Sequence, residues 1–161
     1  DMWMFGYLQE ECGVEIITNE LAFEDSGKKF FLHHGDGLGE GDTSYKLLKK
    51  IFRSGLCQWL FARLHPNLGI AIARRWSKGS RLAKQDVYNV YFGDDKEILT
   101  RYFKEKSKTE KFDFYICGHR HLALDIPLNN GARYINLGDW YKNPHYGVFD
   151  GREFVLVKAE I

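Results

Sequence analysis

Residues 43–85 carry ten lysines and arginines and not one acidic residue. They interrupt a chain whose other apolar segments have the length and alternation of strands. Within the block Leu47, Leu48, Ile51, Phe52, Leu56, Trp59, Leu60, Phe61, Leu64, Leu68, Ile70, Ile72 and Trp76 recur at spacings of three and four, the period that gathers side chains on one helical face. Pro66 has no N–H to give an interior turn, so the block is expected to form two basic amphipathic helices. On either side the pattern changes to short apolar runs over 14–17, 29–33, 112–117, 133–137, 146–149 and 153–157, each expected as a strand. Asp150-Gly151 between the last two is a hairpin signal, because a type I′ turn needs positive φ at both central residues. Segments 3–12 and 94–106 are the remaining helical candidates. The sequence shows no repeat and no linker, so it reads as an α/β body with one helical, basic insertion.

Composition sets the bounds. A chain of 161 residues with 44% hydrophobic residues is one ordinary domain able to bury a core. No apolar run approaches the roughly 20 residues that span a bilayer as a helix. Cys12, Cys57 and Cys117 are an odd number and widely spaced, which argues against a disulfide framework and for a reducing, cytoplasmic location. The chain starts at Asp1 without a basic, cleavable leader and is expected to be cut at its front. The near-neutral total conceals an asymmetry: outside the basic block, 13 lysines and arginines face 22 acids.

Two motifs carry chemistry. Residues 114–121 read Phe-Tyr-Ile-Cys-Gly-His-Arg-His, an apolar strand running into a glycine and two histidines one residue apart. In extended backbone His119 and His121 point to one side, where each imidazole can offer a nitrogen to a cation. Residues 30–39 repeat the logic: an apolar strand, then His33-His34-Gly35-Asp36. In α/β sheets ligands gather at the carboxyl ends of strands, so His34, His119 and His121 are expected to converge there. The alternatives are surface histidines bonded to the backbone and a plain glycine loop over 35–39. No Lys-Ser/Thr follows those glycines, no Gly-x-Ser-x-Gly elbow occurs, and no cysteine stands beside a histidine as an activated nucleophile would. Metal-activated water is the mechanism that remains best supported, with Asp1, Asp36 and Asp42 as the nearest carboxylates.

The order of these motifs resembles the calcineurin-like metallophosphoesterases, whose blocks are Asp-x-His, Gly-Asp, Gly-Asn-His-Asp or -Glu, a lone His, and Gly-His-x-His. His34 matches the lone histidine, Gly118-His119-Arg120-His121 matches the final block, and Asp1 is similar to the last residue of the third. Within that superfamily the chain resembles the UDP-2,3-diacylglucosamine diphosphatases of lipid A synthesis, particularly the Bacteroidetes type. The resemblance runs through Asp1-Met2-Trp3, His34-Gly35-Asp36, the helical insertion and Asn136-Leu137-Gly138-Asp139-Trp140.

This resemblance implies the carboxyl-terminal part of a four-layer α/β/β/α sandwich. Residues 1–161 would form a single, partial domain and 43–85 a helical lid over two acyl chains. It implies two Mn²⁺ ions, His34 and His119 serving the second and His121 the first, with the remaining ligands upstream of Asp1. His119 would also be the catalytic residue bordering the phosphate. Asp42 would meet the glucosamine, and Ser77, Arg81 and Lys84 would surround the sugar and phosphates, although Arg81 stands where better-known members have Asn. The implied reaction splits the pyrophosphate of a lipid-linked UDP-sugar into lipid X and UMP, at the anionic inner-membrane surface, with no nucleic acid and no obligate protein partner. On this reading residues 1–161 alone would bind Mn²⁺ weakly and turn over negligibly. The competing readings are a metallophosphoesterase acting on another phosphoester and a catalytically incomplete membrane-binding module.

Overall fold

The computed structural model describes residues 6–40, 43–84, 90–93, 95–141 and 143–160. In chain order the elements are α1 (Tyr7–Cys12), β1 (Glu20–Asp25), β2 (Lys28–His33), α2 (Thr43–Arg53), α3 (Gly55–Phe61), α4 (Pro66–Lys84), α5 (Ile98–Thr109), β3 (Phe114–Cys117), β4 (Ala123–Pro127), β5 (Arg133–Leu137), β6 (His145–Phe149) and β7 (Phe154–Lys158). They divide into two compact units: residues 1–16 with 41–87, and residues 17–40 with 88–161.

The first unit is helical. The basic block forms three helices rather than the two expected. Ser54 caps a new start by accepting the Cys57 N–H at 3.5 Å, and Pro66 opens α4 instead of merely ending its predecessor. Its missing N–H costs nothing at a first helical position. Phe52 of α2 and Trp76 of α4 bring their rings to 5.7 Å, and the Arg63 guanidinium lies 3.3 Å over the Trp59 ring. Many of the unit's large side chains are nonetheless exposed, among them Leu47, Leu56, Leu60, Leu68 and Trp76.

The second unit holds a five-stranded sheet in the order β1-β2-β3-β5-β4 and a separate two-stranded hairpin, β6-β7. The central strands β2, β3 and β5 run parallel, with Phe31, Tyr115 and Tyr134 in one row and His33, Cys117 and Asn136 in another. Alternation gives each face its own core. On one face Phe31, Tyr115 and Tyr134 pack with Leu99 and Phe103 of α5; the Phe103 ring lies 4.9 Å from Tyr134. On the other, Phe30, Phe114, Ile116 and Ile135 pack with Phe149, Phe154 and Leu156 of the hairpin. Burying a side chain such as Phe103 stabilises by about 1.5–3 kcal/mol, and the two faces together hold the three parallel strands in register.

The structure changes several sequence expectations. Residues 14–17 form no strand; Val14 and Ile17 are exposed. The strand before β2 is instead Glu20–Asp25, whose residues are all exposed, and β4 is a further unanticipated strand. Helix α1 begins at Tyr7 within the expected 3–12, whose first residues lie outside the described ones, and α5 runs about four residues later than 94–106. The two-residue turn with positive φ at both centres is Ser26-Gly27, at 51° and 75°, closing Asp25 against Lys28. At the β6-β7 turn only Gly151 has positive φ. There the Asp150 carboxylate accepts the N–H groups of Arg152 and Glu153, both at 2.8 Å, and that local bonding shapes the turn. Cys12, Cys57 and Cys117 are all free thiols, and no helix among the described residues is long and apolar enough to cross a membrane.

Asp113 staples β2 to the start of β3: its carboxylate accepts the Lys29 N–H at 2.9 Å and the Lys28 ammonium at 3.1 Å. Burial acts to raise this carboxyl, but those two donors outweigh it and hold its pKa below the ordinary value. A depressed folded-state pKa gives stability that is fully present above the unfolded value near 3.9 and is lost as pH falls through the folded one. Asp113→Asn should therefore lower the urea midpoint at pH 7, with the gap to wild type closing in acid below pH 3.9. An equal gap at both pH values would remove the carboxylate from this account.

Candidate functional site

Three loops leave the carboxyl edge of the parallel strands. After β2 comes His34-Gly35-Asp36, after β3 Gly118-His119-Arg120-His121, and after β5 Gly138-Asp139. Because His33, Cys117 and Asn136 share one row, the strands end level and their loops start side by side. The first two are joined directly: the Gly118 N–H donates to the His34 carbonyl at 3.1 Å. Their imidazoles face each other, His34 and His119 centroids 5.5 Å apart at an interplanar angle of 70°.

This approach depends on Gly35. Its φ is +108°, and a Cβ there would lie 3.1 Å from the His119 Cβ and 3.3 Å from the Gly118 carbonyl oxygen. Its N–H donates to His33 Nδ1 at 2.8 Å, committing that nitrogen and turning His33 away from the role of its neighbour.

His119 itself sits at φ +67°, a left-handed conformation that costs an L-residue roughly 1–2 kcal/mol. The Arg120 N–H donates to the Gly118 carbonyl at 2.8 Å, so His119 is the centre of a γ-turn of the strained, positive-φ kind. Arg120 turns inward from it. Its guanidinium donates to Glu97 Oε1 and to the Val90 carbonyl, both at 2.8 Å, and both charged side chains are nearly buried.

His121, on the far side of Arg120, is exposed. Its Nδ1 lies 3.9 Å from Asp139 Oδ2, beyond hydrogen-bond length, and the other Asp139 oxygen accepts the Tyr141 N–H at 2.8 Å. The structure thus pairs His34 with His119 and sets His121 beside Asp139. Among the described residues it does not gather three metal-ligating side chains around one point.

The other sequence candidates fall on several elements. Asp36 is buried in the His34 loop. Ser77 is exposed on α4, in the helical unit. Arg81 and Lys84 fall in the last turns of that helix, their side chains outside what is described, and positions 77, 81 and 84 follow one helical stripe. Asp1 and Asp42 lie outside the described residues. Cys117 is buried, and that burial pushes its thiol well above the ordinary range, so it stays protonated and is no nucleophile. Sequence reasoning passed over Asp139, Glu97 and Arg120. Asp139 stood within a quoted motif, whereas nothing local marks Glu97 and Arg120 as partners.

Beside His34 an open pocket of about 290 Å³ is lined by Leu21, Leu32, Ile116 and Leu137 together with Asn19 and Gly118. The edge therefore offers imidazoles next to an aliphatic wall. Two rings 5.5 Å apart are close enough for both to serve one cation, and neutral imidazole is a general ligand for divalent metals.

No family model matches the chain. Against curated proteins it is 36% identical to the UDP-2,3-diacylglucosamine hydrolase of Porphyromonas gingivalis, in an alignment of 172 positions that takes in 99% of this chain and 66% of that protein. It is 29% identical over 156 residues, 94% of its length, to the protein of that name from Tolumonas auensis, covering 62% of it. The Shewanella halifaxensis protein of the same name is 33% identical over 135 residues, 83% of this chain and 54% of that protein. The chain spans 54–66% of the length of these relatives.

Gly35 and Gly131 make a matched test of the close approach at this edge. Both have positive φ, but a Cβ at Gly131 meets nothing within 4 Å. Gly131→Ala should carry only the backbone cost of about 1 kcal/mol, and Gly35→Ala about 1–3 kcal/mol more, from crowding against His119. Urea denaturation of both variants checks this; equal losses would show that the contact between the loops carries no energy.

Proposed function

Since the chain is a relative of the UDP-2,3-diacylglucosamine hydrolases along nearly its whole length, we propose that it carries part of the active site of a metal-dependent hydrolase that splits the pyrophosphate bond of UDP-2,3-diacylglucosamine into lipid X and UMP. The observation that carries the proposal is the His34–His119 pair at the ends of adjacent parallel strands, in a chain matched by enzymes of that name. In this reading 43–85 is a lid, and the sheet with its hairpin is the carboxyl-terminal part of a four-layer α/β/β/α sandwich.

When bound, a pair of Mn²⁺ ions supplies an acidified water and offsets charge on the phosphoryl oxygens. The chain's own part is to present nitrogens and hold the substrate. His34 and His119 serve one cation, His121 the other, and His119 also borders the phosphate. Further carboxylate ligands would correspond to the third of the Porphyromonas gingivalis relative that this chain does not cover. Asp42 meets the glucosamine, and Ser77 lies along the sugar. Arg81 forks onto two diphosphate oxygens, whereas Lys84 acts as a point charge. The exposed apolar side chains of α2, α3 and α4 receive the acyl chains, and the acid-free positive charge between them draws the enzyme to the anionic cytoplasmic face of the inner membrane. Those apolar side chains favour a lipid-linked substrate over a soluble phosphoester.

The test joins this chain to the third of the Porphyromonas gingivalis relative that it does not cover. The joined enzyme should release UMP from UDP-2,3-diacylglucosamine in a Mn²⁺-dependent way, and His119→Ala should cut turnover by at least about a hundredfold. Arg81→Ala and Lys84→Ala should act chiefly on KM. Absence of UMP release, or full activity of His119→Ala, would refute the assignment. For the membrane role, Leu47→Ser with Leu56→Ser, both exposed, should weaken sedimentation with phosphatidylglycerol vesicles while leaving the chain folded; undiminished sedimentation would detach the helices from that role.

A further inference from the structure

We propose that the buried Glu97–Arg120 ion pair is the positioning device of the histidine edge, holding the γ-turn at His119 and through it the orientation of His119 and His121. The inference rests on the metal-site reading above for its consequence, but on geometry alone for its mechanism.

Arg120 is the residue between the two histidines, so whatever fixes it fixes the backbone on both sides. Its main-chain N–H closes the γ-turn onto Gly118 at 2.8 Å, while its guanidinium reaches Glu97 Oε1 and the Val90 carbonyl at 2.8 Å. The same Glu97 oxygen accepts the Phe92 N–H at 3.3 Å. One buried pair therefore pins residues 90–92, the start of α5 and the His-Arg-His turn to each other.

Glu97 occupies the residue before α5 and makes no capping bond to its first turn. Its carboxylate is spent on Arg120 and the Phe92 N–H instead. A strained residue persists only where its surroundings over-determine it. At His119 those surroundings are Gly35, where an added Cβ would come within 3.1 Å of the His119 Cβ, and Arg120 drawn inward on the other side. Without the Glu97 charge a guanidinium this deeply buried turns toward water, and the N–H that closes the turn goes with it. Groups that orient metal ligands typically alter metal affinity tenfold to a hundredfold when changed, while touching neither metal nor substrate.

Three variants test the proposal: Glu97→Gln, which keeps shape and removes charge, Arg120→Met, and the two together. Amide exchange at Gly118 and Arg120 should accelerate at least about tenfold in each single variant, with β6-β7 amides unchanged. Affinity for Mn²⁺ alone, followed by water-proton relaxation, should fall about tenfold or more. The double variant should be no worse than the weaker single one, because both remove the same strut. A pair that merely holds the fold together would lower the urea midpoint and move neither readout in folded protein, and that result would overturn the proposal. Should Arg120→Met fail to fold, Glu97→Gln decides. Should wild type bind no Mn²⁺, the metal reading fails separately, and the exchange rates at Gly118 and Arg120 still uphold or overturn the strut.

Discussion

In-register parallel pairing of β2, β3 and β5 is the constraint on which the sheet unit depends. Parallel strands whose carboxyl ends lie within one residue of level must release their loops at a common edge, and the loops here contain His34, His119 and Asp139. Aromatic packing supplies the register: Phe31, Tyr115 and Tyr134 form a row that α5 covers with Phe103, while Phe30 and Phe114 turn to Phe149 and Phe154 on the opposite face. Slipping any strand by one residue would exchange these two faces, removing rings from both cores at once. The histidine edge is thus fixed by hydrophobic contacts well away from it.

At the edge, close backbone approach takes over from packing. Glycine at position 35 lets one loop rest against the next, a hydrogen bond from Gly118 to the His34 carbonyl joins them, and the left-handed turn at His119 aims an imidazole at its neighbour. None of these devices adds much stability, and the turn costs some. The unit tolerates that cost because α5 and the hairpin hold the underlying strands. A rigid sheet carrying strained, chemically equipped loops at its carboxyl edge is the arrangement that α/β proteins use to build sites.

Strands with strong apolar runs were legible in the sequence: 133–137 matches β5, and 29–33 differs from β2 by one residue. The two histidine motifs pointed to one edge because each followed such a run. Strand β1 was not legible, since Glu20, Glu24 and Asp25 mask its alternation and its pairing comes from the Ser26-Gly27 turn. The three-helix pattern within 43–84 was obscured because the break at Ser54, whose side chain accepts the Cys57 N–H, falls within a continuous run of helical spacing. Glu97 and Arg120 leave no local pattern at all, for an ion pair between distant residues is a product of the fold. The charge asymmetry was visible from composition, but the exposure of Leu56, Trp59 and Trp76, which gives that charge an apolar companion, required the structure.

The central claim of the proposal is that His34, His119 and His121 serve the metal pair and that His65 and His145 do not. Long-range ¹H–¹⁵N spectra of the imidazoles, recorded with substoichiometric Mn²⁺, address it directly, since the paramagnetic ion broadens the rings it approaches. The account predicts that His34, His119 and His121 broaden together while His65 and His145 stay sharper. Uniform broadening of all six histidines, or selective loss at His65 or His145, would contradict it.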